Sequence, residues 1–310
     1  MGYPVEVRDA AKGQDYRFLK GLRLRREDVP SFKAYPFNLP VVRNLTSLEF
    51  HPAVTYFVGE NGTGKSTLLE AIAITAGFNP EGGTKNFNFS TYNTHSSLVD
   101  HLELGHGLIR ERDGFFLRAE SFYNVASELD KLDDGYVPPP SKRELQLEQS
   151  LQSLYEMLEE NEDLGLVGND EMRHIKELLN PPDLSPGPGS YRQSYGGSLH
   201  EKSHGEAFLN LIKHRFGFDS LFILDEPEAA LSPARQLAAL LRIHELATVQ
   251  NCQFIIATHS PILMAYPDSK MYFLDADGIR EATWKETEHY TLTKSFLDRP
   301  EAFLHHLLGS

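Results

Sequence analysis

The stretch GENGTGKST, Gly59 to Thr67, combines glycines with a lysine and two hydroxyl residues in the spacing G-x-x-x-x-G-K-[ST]. Glycines in such a loop let successive backbone N–H groups turn inward around phosphate oxygens. Lys65 would supply a cation to the β- and γ-phosphates, and the Ser66 hydroxyl would coordinate Mg²⁺. The spacing therefore predicts a loop that binds a nucleoside triphosphate. Its predicted binding residues are Glu60, Asn61, Gly62, Thr63, Gly64, Lys65, Ser66 and Thr67.

Two acidic residues, Asp225 and Glu226, follow the apolar run LFIL directly. In open α/β sheets, ligands bind at the carboxyl ends of the strands. Asp225 would hold Mg²⁺ through its water shell, because a hard cation prefers oxygen ligands. Glu226 would orient or deprotonate an attacking water. An aspartate alone at a strand end is often only a helix cap. Asp-Glu-Pro after an apolar strand, in a chain that also has a phosphate loop, instead favours a metal-binding and catalytic role.

A third polar cluster ends the apolar run FIIA, where Thr258, His259 and Ser260 follow. An isolated histidine is more often a core or surface residue than a functional one. Here the histidine ends a predicted strand beside the acidic one, so it could hydrogen-bond the γ-phosphate or the water. We therefore predict Glu226 and His259 as the catalytic residues.

The elements that must position these groups alternate along the chain. VTYFV predicts a buried strand before the loop, and TLLEAIA predicts a helix after it. SLFILDEP and CQFIIATHS predict two further strands, separated by a helix that begins at Pro233. Strands that alternate with helices predict an α/β fold with a largely parallel sheet. We interpret the chain as a single domain with four regions, residues 1–53, 54–132, 133–215 and 216–310.

The composition argues against some classes of protein. The net charge is −14, which argues against a sequence-independent nucleic-acid binder that uses its whole surface. The net charge does not exclude a local basic patch. The densest basic run, Leu19 to Arg26, is interpreted as a solvated edge strand rather than a DNA contact. The single cysteine, Cys252, excludes an internal disulfide framework and a cysteine zinc cluster.

Targeting and metal signals are also absent from the sequence. No apolar run approaches the roughly 18 residues of a membrane span, and the N-terminus lacks the hydrophobic segment of a signal peptide. We therefore expect a cytoplasmic protein without a membrane span. The histidines at His101 and His106, and the pair His305 and His306, lack the spacing of transition-metal ligands.

These motifs, in this order, resemble the ABC-type ATPase superfamily, and within it the soluble SMC, RecF and OLD-type branch with its small bacterial predicted ATPases. GENGTGKST is similar to the Walker A loop, LFILDEPEAALSP to Walker B with the D-loop, and ATHSP to the switch-histidine loop. The resemblance implies a P-loop NTPase fold, an ABC-type ATPase head. It also implies an N-terminal antiparallel β subdomain and a helical insertion that carries the signature motif.

The stretch KSHGEAF occupies the place of that signature, which is usually Leu-Ser-Gly-Gly-Gln. Ser203, Gly205 and Glu206 match positions of the motif, whereas His204 replaces a glycine and Lys202 replaces the leucine. In the family, two heads face each other and each signature closes over the ATP held by the other. The resemblance therefore implies an ATP-dependent homodimer. The alternative is that Ser203 is an ordinary helix cap.

The chain departs from the family pattern at several positions. The glutamine of the Q-loop is not evident, and Glu120 in FFLRAESF is a candidate metal ligand in its place, with Arg118 nearby. The aspartate of the D-loop is absent. Tyr35 and Phe37 are candidates for stacking on adenine, although a place in the core is favoured for both.

The resemblance implies a Mg²⁺-dependent ATPase whose ATP-driven head dimerisation works a DNA or protein partner, in genome maintenance or phage defence. The first alternative is the ATP-binding subunit of an ABC transporter. The second is a non-catalytic interaction module that depends on nucleotide, although binding alone would not need Glu226.

Overall fold

The computed structural model of the chain describes residues 18–80, 82–83, 96–118, 212 and 217–309. Nearly all of the predicted helical region, residues 133–215, lies outside this part of the chain. Four of the predicted site residues also lie outside the described residues. They are Glu120, Ser203, Gly205 and Glu206.

The chain divides into two compact units. The first consists of Met1–Phe122, Phe216–Ala229 and Leu240–Ser310, and the second of Tyr123–Arg215 and Ala230–Ala239. The described sheets, the phosphate loop and the acidic pair all belong to the first unit. The single domain with four regions stays a prediction.

The described strands and α-helices are numbered here in chain order. The strands are β1 (Leu19–Leu24), β2 (Ser47–Glu49), β3 (Val54–Gly59), β4 (Leu102–His106), β5 (Asp113–Arg118), β6 (Ser220–Asp225), β7 (Gln253–Ala257), β8 (Ser269–Asp275) and β9 (Gly278–Glu281). The helices are α1 (Pro40–Arg43), α2 (Lys65–Thr75), α3 (Pro233–Val249), α4 (Pro261–Met264), α5 (Glu288–Asp298) and α6 (Pro300–Leu308).

The larger sheet of the described chain has six strands in the order β5-β6-β7-β3-β8-β9. Its first five strands run parallel, and β9 pairs antiparallel with β8 at the edge. Strands β3, β6 and β7 are buried along their whole length, as expected for parallel strands that are covered on both faces. The predicted α/β fold with a largely parallel sheet is confirmed.

The smaller described sheet has three antiparallel strands in the order β2-β1-β4. Its first two strands agree with the predicted N-terminal antiparallel β subdomain, but β4 lies beyond residue 53. The basic run falls on β1, and the prediction that it forms an edge strand is wrong, because β1 pairs on both sides. Alternation along a strand indicates one buried face. It does not indicate how many neighbours the strand has.

Helix α2 is held in place by packing. Its side chains at Leu68, Leu69 and Ile72 are fully buried. They belong to one core cluster that also contains Phe57 of β3 and Ile223 of β6. Burial of each such side chain contributes about 1.5–3 kcal/mol. The start of α2, which borders the phosphate loop, is therefore fixed against the sheet.

One buried amide joins the two sheets. Gln253, the first residue of β7, accepts hydrogen bonds through Oε1 from the backbone N–H groups of Phe18 and Leu19, at 3.0 and 2.9 Å. Its Nε2 donates to the carbonyl oxygens of Leu19 and His51, at 2.8 and 3.0 Å. The side chain thereby makes two accepted and two donated bonds, which is the capacity of a primary amide.

Among the helices that the structure describes, none is long and apolar enough to cross a membrane.

Candidate functional site

The phosphate loop connects β3 to α2, as the sequence predicts. Two of its glycines, Gly62 and Gly64, have positive φ angles of 81° and 98°, a conformation that side chains with a Cβ rarely adopt. A Cβ at Gly64 would also lie 2.8 Å from Val41 Cγ2 and 3.2 Å from Leu39 Cδ1. Both the backbone angle and the surrounding space therefore require glycine at this position.

Lys65 lies inside the loop that it follows. Its side chain is only 4% exposed, and Nζ donates to the carbonyl oxygens of Gly59 and Glu60 at 2.7 and 3.0 Å. Burial lowers the pKa of Lys65, while Glu226 and Asp225 oppose this shift. The loop therefore holds a buried ammonium whose hydrogen-bond partners are neutral carbonyls, which an incoming phosphate can replace.

Ser66 and Asp225 meet at the carboxyl end of β6. The Ser66 hydroxyl donates to Asp225 Oδ1 at 3.2 Å, and Asp225 is 6% exposed. Burial raises the pKa of Asp225 to about 6, against the lowering effects of the Ser66 hydrogen bond and of Arg118. A hydroxyl and a buried carboxylate in contact form a pair of hard oxygen donors, the type that Mg²⁺ prefers.

Glu226 occupies a left-handed backbone conformation, with φ of 52°. This is uncommon for a residue that carries a side chain. Its backbone N–H donates to the Ala257 carbonyl at 2.9 Å, which ties the turn after β6 to the end of β7. Its Oε1 lies 3.3 Å from His259 Nε2. The strained turn therefore separates the two acids, and Asp225 contacts Ser66 while Glu226 faces His259.

His259 is held through both its backbone and its ring. The backbone N–H donates to Glu228 Oε1 at 2.5 Å, and ring Nδ1 lies 2.8 Å from Nε2 of His289. Burial, followed by the charge of Lys65, lowers the pKa of His259 below its ordinary value of 6.5. The ring is therefore largely neutral at pH 7.

A cavity of about 260 Å³ lies over the phosphate loop. Glu226 lines it together with the loop, so the fold brings the second motif to the first. Of the predicted loop residues, Glu60 and Thr63 do not line the cavity, and the Thr63 hydroxyl instead donates to the Glu60 carbonyl at 2.8 Å. The lining residues are Tyr35, Leu39, Asn61, Gly62, Gly64, Lys65, Ser66, Thr67 and Glu226.

The two aromatic candidates have different environments. Phe37 lies in the core, as expected, with its ring centroid 4.9 Å from that of His101 in an edge-on contact. The expected core position is wrong for Tyr35, which is 64% exposed and lines the cavity. Its hydroxyl lies 3.3 Å from Thr67 Oγ1. Its place among prolines and polar residues in sequence gave no indication of this location.

Arg118 ends β5 directly beside Asp225 in the strand register. Its Nη1 lies 3.0 Å from Oε2 of Glu70 on α2. Arg118 therefore lies beside the predicted metal ligand Asp225. The assignment of Glu120 lies outside the described residues and stays a prediction, as do those of Ser203, Gly205 and Glu206.

Two residues of this site, Glu228 and His289, were missed by sequence reasoning. Glu228 could have been suspected, because it lies two residues after Glu226 in the same acidic run. His289 lies in the first turn of α5, thirty residues beyond His259. No local pattern marks it, and only the fold places its ring against that of His259.

Two family models match the sequence. One, described as "AAA domain", matches residues 31–103 and includes the phosphate loop. The other, described as "AAA domain, putative AbiEii toxin, Type IV TA system", matches residues 199–265 and includes the acidic pair and His259. No curated protein matches the chain.

Two similar solved structures are of different kinds. "An inward-facing conformation of a putative metal-chelate type ABC transporter" is 16% identical, with a TM-score of 0.41, over 89% of this chain and 87% of that one. "Crystal structure of the SmcHead bound to the C-winged helix domain of ScpA" is 15% identical, also with a TM-score of 0.41, over 86% of this chain and 97% of that one.

The phosphate loop between a buried strand and a helix, and the matches of residues 31–103 and 199–265 to AAA-domain models, support a nucleotide-binding domain. This agrees with the resemblance to the ABC-type and SMC-like ATPase superfamily that the motifs indicated. The matched families suggest ATPase activity.

Proposed function

We propose that the chain binds ATP with Mg²⁺ on the phosphate loop and hydrolyses it, and that two copies associate around the nucleotide. One observation carries this proposal. Ser66 and Glu226 line one cavity, and each contacts a further predicted site residue, Ser66 with Asp225 at 3.2 Å and Glu226 with His259 at 3.3 Å.

The residues present fit a magnesium ion. Asp225 is a buried carboxylate with a raised pKa, and it accepts a hydrogen bond from the Ser66 hydroxyl. Ser66 and Asp225 would hold the ion. When bound, Mg²⁺ neutralises the charge that develops on the β- and γ-phosphate oxygens. Removal of the ion should leave the fold intact, since the hydroxyl and carboxylate already contact each other.

The loop and α2 would bind the phosphates. The backbone N–H groups at the start of α2 carry the partial positive charge of a helix N-terminus. Lys65 Nζ would exchange its bonds to the Gly59 and Glu60 carbonyls for bonds to phosphate oxygens. This exchange replaces neutral acceptors by charged ones, and hydrogen bonds to charged groups are stronger.

Glu226 and His259 would act on the attacking water and the γ-phosphate. Glu226 orients the water and takes its proton as the water oxygen attacks phosphorus, and the bond from phosphorus to the ADP oxygen breaks. His259 is neutral at pH 7 and lies 3.3 Å from Glu226. A ring in this position can donate one hydrogen bond to a phosphate oxygen or to the water.

Tyr35 would bind the base. Its exposed ring lies at the cavity beside Thr67, which ends the phosphate loop. An aromatic ring offers a flat apolar surface on which adenine can stack. The position therefore extends the site from the phosphates toward the base.

The association of two copies rests on the sequence alone. Ser203, Gly205 and Glu206 match positions of a signature that in the resembling family closes over the ATP of a second head. Shared ATP would hold two copies together, and hydrolysis would release them. The same resemblance supports a further part of the proposal, that association and release of the two copies act on a DNA or effector-protein partner in genome maintenance or phage defence.

Glu226→Gln tests the proposal directly. The carboxamide keeps the shape of the side chain but cannot accept the proton, so phosphate release should fall by on the order of 10²-fold or more. ATP binding should persist, and sedimentation with Mg²⁺ and ATP should show an accumulated dimer. The matched control is Glu103→Gln on β4, which changes an exposed glutamate away from the site and should hydrolyse at the normal rate.

Different outcomes separate the alternatives. A normal rate in Glu226→Gln would remove Glu226 from catalysis. Background rates in both the wild type and Glu226→Gln, with tight ATP binding, would favour the non-catalytic interaction module. Slow hydrolysis without a dimer would leave the ATPase and remove the association of two copies.

A further inference from the structure

Four side chains form a continuous line of contacts at the site. Glu226 Oε1 lies 3.3 Å from His259 Nε2, His259 Nδ1 lies 2.8 Å from His289 Nε2, and His289 Nε2 lies 3.7 Å from Glu60 Oε1. The proposed function uses the first two residues only. The other two connect the histidine back to the phosphate loop, because Glu60 is the loop residue after Gly59.

We infer that His289 is a positioning residue that fixes the tautomer of His259, so that Nε2 of His259 carries the proton and faces Glu226. The role of this tautomer in catalysis rests on the proposed function, ATP hydrolysis at this site. The tautomer itself is a property of the chain without nucleotide and can be measured separately.

The contact between the two rings requires an ordered proton. Two ring nitrogens 2.8 Å apart share one hydrogen bond, in which one nitrogen donates and the other accepts. In a neutral imidazole only one of the two nitrogens carries a proton. The direction of this one bond therefore sets the tautomer of His259. If His289 donates, the proton of His259 must be on Nε2.

The two carboxylates at the ends of the line select the direction. Glu226 Oε1 lies 3.3 Å from His259 Nε2. The two atoms do not have the geometry of a hydrogen bond, but the nearby negative charge favours an N–H over a lone pair on that nitrogen. Glu60 lies beside His289 Nε2 and favours an N–H on that nitrogen. Both preferences are satisfied by one arrangement, in which His289 Nε2–H donates to His259 Nδ1. The reverse arrangement opposes both carboxylates.

The far side of His289 does not compete for this proton. Its Nδ1 is buried and has no hydrogen-bond partner among the described residues. The side chain as a whole is 14% exposed. The polar contacts of this ring therefore fall on Nε2, which lies 2.8 Å from His259 Nδ1 and 3.7 Å from Glu60 Oε1.

The fold holds both rings in place. His289 lies in the first turn of α5, whose N-cap Thr287 is fully buried and accepts from the Tyr290 N–H at 3.3 Å. The Thr287 hydroxyl also donates to the Trp284 carbonyl at 2.7 Å. His259 is tied through its backbone to Glu228. The ring contact is therefore made between two anchored segments.

The tautomer decides what His259 presents to the γ-phosphate. With the proton on Nε2, the ring offers a donor to a negatively charged oxygen. With the proton on Nδ1, it would offer a lone pair and repel the same oxygen. A residue that sets this choice supports the reaction without touching the nucleotide.

Nitrogen NMR of the nucleotide-free full chain, with ¹⁵N-labelled histidine, tests the inference. The two-bond ¹⁵N–¹H correlations distinguish the tautomers, and the His259 signals are identified by their loss in His259→Gln. We expect Nε2–H in the wild type. His289→Leu should shift His259 toward a mixture or toward Nδ1–H, because the donor is gone.

Two conservative variants provide matched controls. In His289→Gln the amide nitrogen reaches the place of Nε2 and can still donate, so the wild-type tautomer should return. In His289→Asn the amide reaches only the place of Nδ1, so the tautomer should not return. Comparison of Gln with Asn keeps the test valid if the Leu variant is poorly folded.

Kinetics give a second readout. His289→Leu should lower kcat for ATP hydrolysis by about 10-fold, the lower end of the loss that follows when the hydrogen-bond partner of a metal-bound histidine is removed. KM for ATP should change little, and His289→Gln should recover most of the rate. A purely structural role would lower the amount of folded protein instead.

The inference and the proposed function can fail separately. An unchanged Nε2–H tautomer in both His289→Leu and His289→Asn, or Nδ1–H in the wild type, would overturn the inference whatever the rates. Background hydrolysis by the wild type would overturn the proposed ATPase activity and leave the tautomer result in place.

Discussion

Charged side chains are buried at the carboxyl ends of the parallel strands and exposed on the three-stranded antiparallel sheet. On the antiparallel sheet, Arg23 pairs with Glu27 at 2.9 Å, and both side chains are 59% exposed. At the phosphate loop, Lys65 and Asp225 are almost completely buried. Water solvates the first pair and is largely excluded from the second.

This difference indicates where the chain keeps charge for a ligand. Burial lowers the pKa of Lys65 and raises that of Asp225, so in the free protein it disfavours the charged form of each group. Groups of this kind often mark functional sites. An anion beside Lys65 and a cation beside Asp225 would each relieve this cost. Arg23 and Glu27 are already solvated and have no such cost to relieve.

Lys65→Ala should have the largest effect. Truncation of one partner of a buried, hydrogen-bonded charge pair costs about 2–5 kcal/mol, so ATP affinity should fall by on the order of 10²-fold or more. Calorimetric titration with Mg²⁺ and ATP measures this. Arg23→Ala removes an exposed cation from β1 and should leave the affinity unchanged. Equal affinities in the two variants would contradict the assignment of the loop.

Asp225→Asn should stabilise the magnesium-free protein at high pH. The folded-state pKa of Asp225, about 6, lies above its ordinary value of 3.8, so the native state retains the proton more strongly. The contribution to stability is full below about pH 4 and is lost as the pH rises through 6. At pH 8 the wild type carries the whole cost, up to roughly 3 kcal/mol at about 1.4 kcal/mol per pKa unit.

Denaturant unfolding with a chelator present, at several pH values, checks this expectation. The difference between Asp225→Asn and the wild type should shrink as the pH falls from 6 to 4, where the aspartate becomes protonated. A variant that is less stable than the wild type at pH 8 would contradict it. With Mg²⁺ and ATP added the order should change, because the variant has lost a metal ligand.

Tyr35→Ala should have a smaller effect on ATP binding. Loss of a stacked ring costs about 0.5–1.5 kcal/mol, which corresponds to a roughly 3- to 10-fold weaker affinity for ATP. Inorganic triphosphate, which has no base, should bind equally well to the variant and the wild type. Tyr35→Phe keeps the ring and should bind ATP normally. Equal losses for ATP and triphosphate would indicate a disturbed loop instead.

Arg23→Ala should have the smallest effect on stability. An exposed ion pair contributes about 0.2–1 kcal/mol, and added salt should reduce this further. Thermal unfolding at low and high salt measures it. A loss above about 1 kcal/mol would mean that the antiparallel sheet uses charge more strongly than its exposure indicates.

The sequence predicts the parts of the site whose residues are neighbours in the chain. The loop from Gly59 to Thr67, the acidic pair and His259 each end or follow a strand, and parallel strands bring their carboxyl ends to one edge. The need for glycine at Gly62 and Gly64 could also be predicted from the local motif, because positive φ angles are a property of the loop backbone itself.

The parts that could not be predicted depend on contacts between distant segments. His289 reaches His259 only because α5 follows the β8–β9 hairpin and begins at a buried cap. The third strand of the antiparallel sheet comes from residues 102–106, more than fifty residues after β2. Tyr35 lines the cavity through a loop whose composition resembles any exposed turn. Local periodicity carries no information on such pairings.

The Gln253 amide has a mechanical consequence for the molecule. Three of its four hydrogen bonds join the start of β7 to Phe18 and Leu19 at the start of β1, and the fourth reaches the His51 carbonyl. His259 follows the opposite end of β7. Movement of β7 away from β1 by about 1 Å would lengthen the bonds to Phe18 and Leu19 beyond the usual range of about 2.7–3.2 Å. The antiparallel sheet is thus clamped to the strand that leads to His259. Separation of the two strands at this end would therefore be opposed by bonds at the start of the strand whose other end leads to His259.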